Sequence, residues 1–276
     1  MLVVKNRFLL FDDCQIWWPN SPEDVFPLLS RSPVVSVMQC GDQVASALEP
    51  HAFRSKPFYT PLIDLSLSEQ DLWSRLDAKS CRQPIRRAGD IGCTVSVNDG
   101  GEQAFELINR FIQLRDYRRP ISAREWHSCL QHGDVFTARH EGRILAAHLV
   151  LVDRPFRARL LFGATARLEG RVQQTLMGGV NRYLHWFEFK YYRAAGILCY
   201  DLGGVELDEK SPLYSITRFK LSFGGEIVKQ NILRLAANPA LRLALRQLAR
   251  AKQLGERIKR LPRRAQWRAH PQRAPS

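Results

Sequence analysis

The chain has 276 residues, 45% hydrophobic, 25% charged and 10% aromatic, a globular balance long enough for one large domain or two small ones. That composition excludes a disordered, collagenous or disulfide-scaffold class, and no stretch reaches the ~18 consecutive apolar residues of a membrane span. The formal charge is +14, yet twelve basic residues against the single acid Glu256 lie from Arg234 onward, so +11 belongs to the tail and +3 to the body.

At the N-terminus, Met1-Leu2-Val3-Val4-Lys5 soon meets Asp12 and Asp13 without the basic start of an export signal, which predicts a cytoplasmic protein. Six scattered cysteines with no C-x-x-C pair then read as free, mostly buried thiols. Residues 1–57 alternate apolar runs (Phe8–Phe11, Val34–Met38) with proline breaks, predicting a small N-terminal layer of strands and turns. Ser66 or Ser68 next caps a helix with Glu69 or Asp71 in its first turn and Leu72, Leu76 and Lys79 at helical spacing. Periodicity predicts a short helix over 82–89, a strand over 93–97, and helices over 102–115 and 122–130. Three β-rich runs follow at 135–139, 144–152 and 159–164. A long helix over 172–194 then stops at Gly196, before a strand at 197–202, a short helix at 212–223 and a strand at 226–232. This order predicts a mixed α/β fold whose mostly antiparallel central sheet is flanked by helices. We divide it into an N-terminal layer at 1–57, a main domain at 58–235, and a basic helix with a disordered end at 236–276.

The order resembles that of GNAT-type acyltransferases, in which an antiparallel meander leads through a loop into a long helix. Here the loop reads Arg167-Leu168-Glu169-Gly170-Arg171-Val172, beside a family pattern (Arg/Gln)-x-x-Gly-x-(Gly/Ala). Small residues let backbone N–H groups reach a diphosphate, and the helix N-terminus favours its charge. The resemblance makes Arg167, Gly170, Arg171 and Val172 candidate cofactor-binding residues. The alternative is an exposed polar turn.

Three further pieces narrow the likeness. They are Ile63-Asp64-Leu65-Ser66 with Trp73-Ser74-Arg75-Leu76 and Ile85-Arg86-Arg87-Ala88; Tyr200-Asp201-Leu202-Gly203-Gly204-Val205; and Phe219-Lys220-Leu221-Ser222-Phe223-Gly224-Gly225. Over roughly residues 58–232 the chain resembles the Fem-type peptidyltransferases and the single-lobe, BioF2-like acetyltransferases. Such enzymes acylate amines, typically of peptidoglycan precursors or other envelope glycans. The resemblance implies an N-acyltransferase with no bound cofactor, an acyl-CoA or aminoacyl-tRNA co-substrate, and an amino-sugar or lipid-linked glycan acceptor. Neither a full second lobe nor a charged helical hairpin arm is visible, which favours acyl-CoA over tRNA.

Within that resemblance Phe219 and Lys220 occupy the Phe-Lys motif, where the lysine stabilises charge at the reacting carbonyl or the leaving group. The alternative is a solvated lysine on an amphipathic helix. Asp201 could take the proton of the attacking amine or orient Lys220, or merely cap the next turn. Tyr200, on the other sheet face from Asp201, is a candidate substrate-binding residue together with Gly203 and Gly204, which permit a close ligand approach. Arg86 and Arg87 could clamp an acceptor phosphate or simply end a helix in solvent. His148 reads as a core histidine, and no metal is assigned. The stretch 239–261 forms a basic amphipathic helix with Leu241, Leu245, Leu248, Ile258 and Leu261 on one side. It is expected to meet an anionic membrane face, to bind RNA, or to dock on the body. A non-catalytic protein using the fold only to hold RNA or membrane is the rival reading.

Overall fold

The computed structural model describes residues 1–8, 11–115, 118–166 and 174–260. β1 (Leu2–Phe8) and β2 (Phe11–Trp17) form an edge hairpin. After a short helix α1 (Phe26–Leu29), β3 (Val34–Cys40), helix α2 (Asp42–Leu48) and the long β4 (Ala52–Asp64) complete the N-terminal strands. Ser68 caps α3 (Glu69–Arg75), accepting a hydrogen bond from the Asp71 amide, the arrangement its spacing predicts. The helix does not continue to Lys79. It stops at Leu76, and a π-helical turn at Ala78–Arg82 leads into α4 (Gln83–Asp90).

β5 (Thr94–Val97), α5 (Gly101–Arg115) and α6 (Ala123–Leu130) precede the meander of β6 (Gly133–His140), β7 (Arg143–Asp153) and β8 (Arg157–Thr165). Helix α7 (Gln174–Ala194) then leads to β9 (Cys199–Asp201), α8 (Tyr214–Leu221), β10 (Glu226–Ala236) and α9 (Pro239–Arg260). All ten strands form one sheet in the order β1-β2-β3-β10-β4-β9-β8-β7-β6-β5. Pairing is antiparallel except at β2–β3 and β8–β9. β7 is buried along almost its whole length, so its run of Leu, Ala and Val is apolar on both faces.

The N-terminal layer is not separable from the main domain. β4 runs through the boundary drawn at residue 57, and β10 inserts between β3 and β4, pairing with both. The main core packs α4 and α7 on the sheet around Phe136, Phe189, Tyr192 and Tyr200, while a smaller cluster gathers Ile16, Val35, Val37 and Leu233. Five of the six cysteines are buried, and Cys199 is partly exposed. Among the described residues no helix is long and apolar enough to cross a membrane.

The start of α9 docks on the body. Leu241 and Leu245 pack against Val34, Phe53 and Ala236, and the Arg246 guanidinium donates to the Ala52 carbonyl at 3.0 Å through Nε. Two leucines of the expected outward stripe are therefore spent on the core; Leu248 is exposed, and the side chains of Ile258 and Leu261 lie outside the described ones. Replacing Leu245 by Ala should cost about 2 kcal/mol, the lower end for a buried Leu→Ala change, read as a lower urea midpoint at unchanged slope. An unchanged midpoint would contradict the docking.

Candidate active site

The parallel pairing of β8 with β9 covers only Arg157–Arg159 against Cys199–Asp201. Beyond it, β8 stays with β7 to Thr165, whereas residues 202–205 follow β4, with Leu202 and Val205 donating to Pro61 and Tyr59. The two strands part at Arg159 and Asp201. Asp201 is fully buried at this point. Its carboxylate accepts from Gln39 Nε2 at 2.6 Å, from Thr60 Oγ1, and from the Gly203 amide at 2.7 Å. Arg159 Nε lies 3.5 Å away, with its guanidinium over the rings of Trp17 and Phe58 at 4.7 and 5.4 Å. Asp201 thus caps the turn and balances a buried arginine, one cation against one anion.

Gly203 has φ +78°, and a Cβ there would stand 3.3 Å from the Leu160 carbonyl and 3.5 Å from Lys220 Nζ. A Cβ on Gly204 would collide with the Phe58 ring at 2.8 Å. Both positions therefore need glycine. α8 delivers Lys220 to the same point, where Nζ donates to the Gly204 carbonyl at 2.7 Å. The ammonium is half-buried; burial first, and the Arg159 charge second, pull its pKa down to about 8, against the opposing pull of Asp201. Phe219 packs on Phe223 at 5.3 Å and carries the Arg182 guanidinium over its face.

On the face of β9 opposite Asp201, against Phe219 and Phe223 of α8, lies a second polar group. Tyr200, expected to bind substrate, is fully buried on the α7 side and donates to Glu188 Oε2 at 2.6 Å. It is a core residue, because strand alternation sends it away from Asp201. His148 Nδ1 donates to Glu188 Oε1 at 2.7 Å, its Nε2 meets Asn181 Oδ1 at 3.0 Å, and His185 Nδ1 stands 3.3 Å from Glu188. Burial opposes the Glu188 charge, but His148 and the hydrogen bonds prevail and hold its pKa at about 2. Burial, then His148, lowers His185 to about 4. The potential ligand atoms of His148, His185 and Glu188 lie within 4.8 Å of one another, a spacing open to a metal, although here they bond mainly to each other and to Tyr200.

Of the remaining predicted residues, Arg86 and Arg87 are exposed on α4, and the Arg86 guanidinium sits over Trp73 at 5.5 Å. No described contact ties them to Lys220. Arg167, Gly170, Arg171 and Val172 lie outside the described residues. Sequence reasoning missed Arg159, whose signal was a charge inside an apolar β-run. It also missed Asn181, His185 and Glu188, a polar stripe at i, i+4 and i+7 on α7.

The fold is that of FemX, a solved structure that is 14% identical over 88% of this chain and 86% of its own, with a TM-score of 0.64. It is also that of two further solved structures. One, a lysylphosphatidylglycerol synthetase C-terminal domain so described from Agrobacterium fabrum, is 14% identical, covering 91% of this chain and 85% of its own at a TM-score of 0.56. The other, named L-PGS and from Bacillus licheniformis, is 13% identical, covering 90% and 84% at 0.53. The shared feature is the architecture, a mixed, mostly antiparallel sheet flanked by helices. In sequence, no family model matches the chain and no curated protein matches it.

The buried ion group predicts an acid-sensitive fold. His185 and Glu188 both have folded pKa values below their unfolded ones, so the unfolded chain binds more protons as pH falls. Stability should decline from near pH 6.5 as His185 is left neutral in the folded state alone, and again from about 4.5 toward 2 through Glu188. Glu188→Gln should lose about 3 kcal/mol or more at pH 7, since it strands a buried partner, and should show a shallower decline below pH 4.5. A parallel acid profile for wild type and variant in thermal melts would refute the charged cluster.

Proposed function

We propose that this protein is an N-acyltransferase that moves an acyl group from an activated donor to an amine of a cell-envelope glycan or its precursor. The observation that carries this reading is Lys220, an ammonium at the point where β8 and β9 part, with one of its three donors used by Gly204. A donor carbonyl seated in that opening would meet a fixed positive group. The acceptor amine attacks the carbonyl carbon, charge gathers on the carbonyl oxygen, and the ammonium opposes it in a low-dielectric setting. Collapse breaks the carbon–sulfur bond to the leaving group, the departing thiolate takes a proton from Lys220, and the proton that the acceptor nitrogen sheds as the amide forms restores the ammonium. A lysine with a pKa of about 8 can hand its proton to a departing thiolate near neutral pH, which supports acyl-CoA ahead of aminoacyl-tRNA as the donor.

The name lysylphosphatidylglycerol synthetase, carried by one of the similar structures, denotes an aminoacylated lipid as product and supports acyl transfer to an envelope component. An amino-sugar or lipid-linked glycan acceptor fits that theme. We place the reaction in the cytoplasm, at the inner membrane face when the acceptor is lipid-linked.

The test is turnover of the purified chain with acyl-CoA and aminoacyl-tRNA donors and amino-sugar acceptors. Lys220→Ala should lower kcat by about 10²–10³-fold, as loss of one oxyanion donor does. The active form of Lys220 is the ammonium, so the alkaline limb of kcat should fall as pH rises through about 8. Arg159→Gln removes a charge that depresses the lysine, and should shift that alkaline limb upward. Full turnover in Lys220→Ala, or a limb unmoved by Arg159→Gln, would defeat the assignment.

A further inference from the structure

The polar group behind β9 joins two residues of one helix to one residue of a strand. His185 and Glu188 stand three apart on α7, so they share a helix face, and β7 brings His148 to that face. Both Nδ1 atoms face the same carboxylate, His148 at 2.7 Å from Oε1 and His185 at 3.3 Å from Oε2. The two imidazole rings lie 4.4 Å apart, centroid to centroid. Among the described residues these three form the one group of three or more His, Cys, Asp or Glu side chains spaced for a metal ion.

One nitrogen in the group is left over. Each of the three side chains belongs to a residue that is 1% exposed or less. His148 engages both of its nitrogens, the second on Asn181 Oδ1 at 3.0 Å. His185 Nδ1 is buried and makes no hydrogen bond, although it stands so near Glu188. The rings of Phe223, Phe219 and Phe189 surround His185 at 4.9, 6.0 and 6.2 Å, an apolar setting. A nitrogen lone pair facing a carboxylate oxygen there is unfavourable unless a cation lies between them.

The outer partners are those of a metal site. Ligating histidines place their other ring nitrogen on an oxygen acceptor, and ligating carboxylates are themselves hydrogen-bonded. Asn181 does the first for His148, and Tyr200 does the second for Glu188. Each oxygen of Glu188 faces one imidazole, so a bidentate carboxylate and two Nδ1 atoms fill a tetrahedral shell and leave no position for water, as in a structural zinc site. Tetrahedral zinc holds ligand atoms of different side chains about 3.3 Å apart. His185 already stands at 3.3 Å. The 2.7 Å contact of His148 must widen as the ion displaces the Nδ1 proton. Two imidazoles suit zinc, whereas calcium and magnesium take oxygen shells. We infer that His148, His185 and Glu188 form a structural zinc site that ties α7 to β7 behind α8. The inference does not depend on the transferase reading, and the acid response of the cluster is that of the metal-free chain.

Elemental analysis of the full chain, purified without a histidine tag from zinc-supplemented cells, tests the site. About one zinc per chain should co-purify, and its removal by a strong chelator should lower the melting midpoint by about 5 °C or more. His185→Phe keeps a ring against Phe219 and Phe223 but offers no ligand, and should lose most of the zinc. Should that variant fail to fold, Asn181→Ala decides: it alters only the partner that orients His148, and should weaken zinc retention about 10–100-fold against a competing chelator. His127→Ala, at an exposed histidine, should keep the full zinc content. A wild-type chain without zinc, a midpoint indifferent to chelation, full zinc in His185→Phe or Asn181→Ala, or zinc lost with His127→Ala would overturn the inference.

Discussion

The site hangs on one buried carboxylate. Asp201 draws its partners from four separate segments: Gln39 at the end of β3, Thr60 of β4, Arg159 of β8 and the Gly203 amide of its own turn. A carboxylate withdrawn from water is unfavourable unless every lone pair is met, so these segments must converge for the fold to close. Their convergence fixes where β8 and β9 separate. It also tolerates local strain: Gln39 and Trp18, which bond to each other through their side chains at 3.1 Å, both sit in the left-handed region at φ 59° and 54°. Backbone in that region persists where surrounding contacts over-determine it.

The electrostatics follow from the same constraint. Arg159 is held by Asp201 in front of Lys220, so one cation is neutralised and the next is only partly so. Burial first, and this arginine second, lower the lysine's pKa to about 8. On the opposite face the Glu188 cluster gives α7 an independent polar anchor to β7 and β9. The two faces of β9 thus divide the labour, with Asp201 shaping the opening and Tyr200 securing the strand behind it.

Much of this was legible in the sequence. Ser68 and Ser122 cap the helices they were expected to start, and the meander and the long helix before Gly196 follow from periodicity alone. The Gly203-Gly204 turn and the placement of Tyr200 and Asp201 on opposite faces were readable from strand alternation. What was not readable is long-range: Gln39 and Thr60 meet Asp201 across separations of 162 and 141 residues, and no local pattern encodes such a contact. Arg159 was hidden by an Arg-rich composition. The leucines of α9 left the choice open, because an amphipathic stripe serves a membrane or a protein surface equally well.

In the proposed transferase the donor carbonyl lies between β8 and residues 202–205, against Lys220. A crystal structure with a non-hydrolysable acyl-CoA analogue tests this placement most directly. The carbonyl oxygen should stand within about 3 Å of Lys220 Nζ, at ordinary hydrogen-bond distance, with the Gly203–Gly204 turn alongside. An analogue bound away from this opening, with Lys220 still directed only at the Gly204 carbonyl, would contradict it.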